Sequence, residues 1–250
     1  MERLTAAGPV LVHFLDFAQL NSVRSLPYVL AWTERYGGAG LRTIGVHSPR
    51  FPFSREPGAA AAGLERLGVS HPVALDPELR LWRDYGCHGW PSLFLWGRGG
   101  GLRWYHLGEG EYEATELAVR EALSEAEGEN GTEWPAPLEP IRPTDAPGAE
   151  VVVPSPELFP GGAPETPWRP EGTDDALAVE YDGGGAYASV DGAGTLSLTL
   201  DENAPRALEV EAPGLVELAS HERHQRHSLR IAVSDGEIAV HSLSFAPGVP

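Results

Sequence analysis

The stretch "HFLDFAQLNSVRSLPYV", residues 13–29, decides how the first half of the chain is read. It continues an apolar run, breaks into a short loop, and resumes as a helical pattern with a proline inside it. Val10–Phe14 predicts a buried strand, and the spacing after it predicts a helix from about Ser22 to Tyr36. Asn21 or Ser22 is expected to cap that helix, and Pro27 to kink it. The four residues at the helix start are Gln19, Leu20, Asn21 and Ser22.

Working outward, "LRTIGV" (41–46) reads as a second strand and "AAAAGLERLG" (59–68) as a helix closed by glycine. Val73–Leu75 is a short strand, and "DPELRLWRDYG" (76–86) a helix with Asp76 as cap and Pro77 at its first position. "WPSLFLW" (90–96) and "LRWYHL" (102–107), separated by "GRGGG", form a hairpin signal. "EYEATELAVREALSEAE" (111–127) is a helix that brings Tyr112, Val119, Ala122 and Leu123 to one face. Alternating strands and helices predict an α/β layer structure for residues 1–127.

From Gly128 the texture changes. Eleven of the 23 prolines fall between Trp134 and Pro170, so residues 128–174 are expected to be a proline- and acid-rich linker. Beyond it come "LAVEYD", "GAYASV", "GTLSLTL", "RALEVEA", "LVELAS", "SLRIAVS" and "EIAVHSLSF", divided by Gly, Asp, Asn and Pro. That spacing predicts a small all-β sandwich over residues 175–250.

The 250 residues carry a net charge of −18, every basic residue being arginine. Most of the excess lies after residue 127, where 21 acids face six arginines. Nucleic acid and anionic membrane surfaces both require a basic face, so neither is an expected partner. No apolar run approaches the ~18–20 residues of a membrane helix. With no basic, apolar leader after Met1, a cytoplasmic location is expected. The single cysteine, Cys87, excludes an internal disulfide and a cysteine-rich metal site. No cofactor is expected.

Several stretches resemble the thioredoxin fold of the TlpA/redoxin type, and more narrowly the thioredoxin-like C-terminal segment of the DipZ cytochrome-biogenesis family. They are "FAQLNSVRSLPYVLAW" (17–32), "IGVHSPRFPF" (44–53), "GVSHPVALDPELRLWRDYG" (68–86), "WPSLFL" (90–95) and "GEGEY" (108–112), with "PSPELF" (154–159) and "HSLSFAPG" (241–248) in the tail. The resemblance implies a thioredoxin fold with Pro91 as its cis-proline. It also implies that Gln19 and Ser22 stand where that family has the two cysteines of its exchange motif. Disulfide exchange needs one thiolate to attack and a second thiol to resolve the mixed disulfide. Neither Gln nor Ser supplies one, so the activity does not carry over.

The resemblance implies that a groove remains, lined by Gln19, Asn21, Ser22, Trp90 and Pro91, able to take a protein or a small ligand. Cys87, four residues before Pro91, is expected near that groove, where His88 could lower its pKa and make a one-cysteine oxidoreductase. The plainer reading is a small, buried, inert residue at a helix end. His13 occupies the position of the family's buried acid; it is expected either as a core histidine or as a base toward Ser22. The helix start, assisted by Arg24, is a mild anion site or merely a capped end. His221, His224 and His227 in "HERHQRH" share a face only on a helix. They lie between β-like runs, so a polar loop is expected there and no metal. Aromatic residues are sparse after residue 175 (Tyr181, Tyr187 and Phe245), which disfavours a sugar platform.

Overall fold

A computed structural model describes residues 2–127, 134–172 and 175–250. Its contacts group the chain into two units, Met1–Pro49 with Ala60–Pro140, and Arg50–Ala59 with Ile141–Pro250. No helix among the described residues is long and apolar enough to cross a membrane.

The first unit opens with α1 (Glu2–Thr5) and β1 (Val10–Leu15), every residue of which is buried. Helix α2 (Leu20–Gly37) runs 18 residues, through Pro27. Then come β2 (Arg42–His47), α3 (Pro57–Arg66), β3 (Val73–Leu75), α4 (Arg80–Asp84), β4 (Ser92–Trp96), β5 (Leu102–Leu107) and α5 (Tyr112–Glu127). The sheet order is β3-β2-β1-β4-β5. β1, β2 and β3 are parallel, while β4 runs antiparallel to β1 and β5 to β4. A parallel βαβ half joined to an antiparallel hairpin, with helices on the sheet, is a thioredoxin-like α/β fold.

Alternation along β1 divides the core into two faces. Leu11 packs with Tyr28, Val29, Trp32 and Tyr36 of α2 and with Tyr112, Val119, Ala122 and Leu123 of α5. Val10, Val12 and Phe14 point the other way, to Val46, Cys87 and Phe94. Each large side chain so buried contributes roughly 1.5–3 kcal/mol.

A buried carboxylate ties α2 to α5. Glu116, 1% exposed, accepts from Trp32 Nε1 at 3.1 Å, Tyr36 OH at 2.5 Å and Arg120 Nη2 at 3.1 Å. It also accepts from the Leu138 backbone N–H at 2.9 Å. Trp134 and Leu138 lie against the same apolar cluster, and Trp134 Nε1 donates to Ser124 Oγ. The start of the expected linker is thus packed onto the first unit, because it carries an aromatic and an aliphatic anchor among its prolines. Residues 128–133 and 173–174 of that segment lie outside the described residues.

Residues 141–172 group with the second unit instead. Val152, Leu158 and Trp168 form isolated antiparallel bridges to Gly248, Leu243 and Val240. Prolines spaced along this segment leave N–H groups between them, and those at 152, 158 and 168 are used.

The rest of the second unit is an antiparallel sheet of β6 (Leu177–Leu200), β7 (Arg206–Val210) and β8 (Gly214–Ala246), in the order β7-β6-β8. The seven runs read from the sequence merge into three strands, two of them long. Residues 185–190 of β6 pair with 214–220 on one side and 240–246 on the other, and residues 229–231 of β8 pair with both 177–179 and 198–200. Glycines read as strand breaks are points of close approach: a Cβ on Gly192 (φ +96°) would overlap the Glu237 carbonyl oxygen. The enclosed core contains Tyr181, Ala188, Leu196, Leu229, Ile231, Val240 and Phe245.

Removing the Glu116 carboxylate leaves Trp32, Tyr36 and Leu138 donors buried without an acceptor and Arg120 without its counter-charge. Glu116→Ala should therefore cost about 3–5 kcal/mol in urea unfolding. Leu117→Ala, at a position 49% exposed, should stay within about 0.5 kcal/mol of wild type. Equal effects would remove Glu116 from its place in the packing.

Candidate functional site

The ends of β1 and β2, the start of α2 and the loop before β4 converge at the C-terminal edge of the parallel strands. That edge is where open α/β sheets present their sites. Gln19 is the N-cap of α2, with extended φ/ψ and its Oε1 accepting the Ser22 N–H at 2.8 Å. Asn21 and Ser22, expected as caps, are already inside the helix. Gln reaches the N3 amide with a longer side chain than the usual capping residues.

Ser22 is 1% exposed, and its Oγ accepts the Asp16 backbone N–H at 3.1 Å. Asp16 Oδ1 accepts the Ala18 N–H at 3.0 Å and lies 3.6 Å from His47 Nε2, both side chains being buried. His47 stacks on Phe17 with ring centroids 5.5 Å apart. Gln19 and Ser22 thus each spend a side-chain oxygen on a backbone hydrogen bond. No hydroxyl–imidazole pair forms between Ser22 and His13. At the helix start the Ser22 N–H is taken by Gln19 Oε1, and Arg24 Nε is bonded to Glu109 Oε1 at 2.6 Å.

Across the site, Asp76 organises the loop after β3. Its carboxylate accepts the N–H groups of Arg80, Leu81 and Trp82 at 2.8, 3.1 and 2.9 Å, and the Ser48 hydroxyl at 3.2 Å. The helix expected from residue 76 is thus only α4, preceded by Leu79 in the left-handed region (φ 54°). Trp90 donates from Nε1 to the Ser48 carbonyl at 2.7 Å and stacks on Trp82 at 5.1 Å. The Trp90–Pro91 peptide bond is cis. Gln19, Ser22 and Pro91 are buried; Asn21 and Trp90 are half-buried.

Cys87 lies within reach of Ser92 and Asp76. It packs with Val10, Val12, Phe14, Val46 and Phe94, on the face of β1 opposite to α2. Burial pushes its thiol up to about 11, Ser92 opposing and Asp76 adding to the rise. His88 is exposed, and no hydrogen bond or ion pair joins it to Cys87. The expected activation by His88 runs against these two observations: desolvation acts on the thiol, and no cation compensates it.

His13 is fully buried, and neither ring nitrogen has a hydrogen-bond partner. It faces Gly45 across the β1–β2 ladder, and His71 reaches over the same glycine. Burial, with a contribution from His71, lowers the His13 pKa to about 3. Sequence reasoning missed His47 and Ser48, and gave Asp16 and Asp76 smaller parts than they play. The "HS" pair at the end of an apolar parallel strand was the available signal. Among the described residues, no group of three or more His, Cys, Asp or Glu side chains converges as a metal site.

With this geometry in hand, comparison with known proteins gives a consistent picture of the scaffold. No family model matches the chain. Protein DipZ of Mycobacterium tuberculosis is 34% identical over 178 residues, which is 71% of this chain and 23% of DipZ. The Mycobacterium bovis DipZ gives the same figures. The chain therefore spans under a quarter of the length of these relatives. The thiol-disulfide oxidoreductase YkuV of Bacillus subtilis is 23% identical over 126 residues, covering 50% of this chain and 84% of YkuV. A thiol-disulfide isomerase structure from Corynebacterium glutamicum aligns at TM-score 0.46 and 20% identity, over 50% of this chain and 86% of that one. The sequence likeness agrees with the thioredoxin-like architecture of the first unit.

His13 makes the first unit sensitive to acid. Its folded pKa lies below the ordinary histidine value, so between about 6.5 and 3 the unfolded chain binds a proton that the folded chain refuses. Stability is complete above pH 7 and falls as pH drops through that window, by up to ~1.4 kcal/mol per unit. Urea midpoints from pH 8 to 5 should reveal a loss of roughly 2 kcal/mol. His13→Leu should remove most of that loss, and an unchanged slope in the variant would place the proton elsewhere.

Proposed function

We propose that this protein works by binding rather than by thiol–disulfide exchange. The reading rests on chemistry: the resemblance puts Gln19 and Ser22 at the two exchange positions, neither carries a thiol, and both side chains accept backbone hydrogen bonds. A thiolate is needed for attack and another for release. The one thiol in the chain, Cys87, is buried and raised in pKa. The thiol-disulfide oxidoreductase activity named in YkuV is thus not proposed for this chain.

What supports a binding role is the retained frame around the helix start. The cis Trp90–Pro91 bond, the Trp90–Ser48 hydrogen bond and the Asp76-capped loop hold a rim beside α2. Its accessible parts are Asn21 and Trp90, with Gln19, Ser22 and Pro91 behind them. The occupant would be an extended protein segment or a small ligand. The acidic second unit would be an accessory to that task.

Two measurements test this. Native Cys87 should resist iodoacetamide up to about pH 9 and label only on unfolding, and the chain should not reduce insulin with a dithiol donor. Fast labelling with a pKa several units below 8.5 would replace the proposal with a one-cysteine oxidoreductase. In addition, titration with unstructured peptides should shift the amide resonances of Asn21 and Trp90 before those of α5. Shifts confined to α5, or none at millimolar peptide, would sink the rim as the binding surface.

A further inference from the structure

We propose that the stacked His221–His227 pair is an acid-sensitive latch that holds the 221–227 excursion of β8 closed. The excursion arises from register. Gly185 pairs with Ser220, whereas Gly183 pairs with Gln225. Residues 221–224 are thus extra, looped out opposite a run of three glycines, Gly183–Gly185, that offers no side chain to pin them. Such a bulge is the soft point of a ladder.

What closes it is a small polar cluster. The His221 and His227 rings are stacked with centroids 3.7 Å apart and planes 14° from parallel. His221 Nε2 is 2.7 Å from the hydroxyl of Tyr181 on β6, and Tyr181 is otherwise embedded in the apolar core against Phe245. His227 Nδ1 is 2.8 Å from Asp201 Oδ2, in the turn after β6. The other oxygen of Asp201 accepts the Ser228 N–H at 2.8 Å.

The neighbouring charges do not relieve the pair. Asp182 of β6 is already held by Arg226, with bonds of 3.2 and 3.0 Å. His224 lies within electrostatic range of Asp182, and Glu180 of Arg226. Glu222 and Arg223, on the excursion itself, are exposed. From the C-terminal residues only backbone reaches in: His224 N–H donates to the Val249 carbonyl at 2.8 Å, and Gly248 packs on His224.

With ring centroids 3.7 Å apart, two imidazolium cations cannot stay stacked. In the tautomer with a bare Nε2, the Tyr181 hydroxyl donates to that nitrogen at 2.7 Å. Burial and the neighbouring His227 act in the same direction, lowering the His221 pKa, partly offset by Asp201. Acid drives a second proton from solvent onto His221. The two cations then separate, the Tyr181–His221 bond is lost, and the excursion lifts away with its hold on Val249.

An NMR titration of the full chain tests this. His221 and His227 should titrate in two macroscopic steps at least one pH unit apart. Amide exchange over 221–227, corrected for its intrinsic pH dependence, should rise at least tenfold between pH 7 and 4.5. Over residues 229–231 of β8, in the same unit, the rise should be smaller. His227→Phe keeps an aromatic ring in the stack without the second charge, and should abolish the local rise. Independent titration of both rings near the ordinary histidine value would overturn the latch. So would an equal rise over residues 229–231, or a rise undiminished in His227→Phe. If that variant does not fold, the wild-type titration decides alone.

Discussion

The start of α2 is a buried helix end, and that is the constraint around which the first unit is arranged. A helix leaves its first N–H groups without intrahelical partners, and a buried donor left unsatisfied costs about 1–3 kcal/mol. Here the debt is met locally. Gln19 takes the Ser22 amide, Ser22 takes the Asp16 amide, and Asp16 takes that of Ala18 and faces His47. Each acceptor is itself placed by the group it serves, so the loop between β1 and α2 is a closed circuit. The side chains that would stand ready for chemistry in an exchange enzyme here complete the backbone.

The same logic recurs at three other places, buried at Asp76 and Glu116 and exposed at Asp201. Asp76 gathers three amides and the Ser48 hydroxyl. Glu116 gathers an indole, a phenol, a guanidinium and an amide. Asp201 gathers an imidazole and an amide. In each case one carboxylate joins segments far apart in sequence, and its loss would strand donors rather than merely remove a contact. His13 and His71 are the exceptions: they are buried neutral and unpartnered, which is why acid acts on them.

The first unit was legible from sequence because its signals are local. The apolar run at 10–14, the glycine turn at 97–101 and the helical face of Tyr112, Val119, Ala122 and Leu123 each report on contacts made nearby. The cap was misplaced from Asn21 or Ser22 to Gln19, since propensity ranks residue types and ignores reach. For Cys87, sequence spacing to Pro91 does not say that its side chain packs against Val10, Val12 and Phe14. His47, Ser48 and Asp76 were obscured for a related reason: their roles depend on pairing across β1, β2 and β3. In the second unit, Gly and Asp were read as breaks. They are breaks only when no partner strand needs the space, and Gly192 and Gly194 are filled by the backbone of residues 235–237.

The two units therefore show two uses of a residue type that sequence treats alike. A histidine in an apolar strand, such as His13, stays neutral because nothing stabilises its cation, and it taxes the fold as pH falls. A histidine beside a carboxylate and a second ring, as at 221 and 227, has a cation that is tolerated once and refused twice. The difference is not in the residue or in its neighbours along the chain. It lies in whether the ladder brings a carboxylate to the ring, and in whether a bulge gives the ring somewhere to go. By that criterion acid acts on β1 through global stability and on the 221–227 excursion through a local opening, so one proton donor produces responses of different size in the two units.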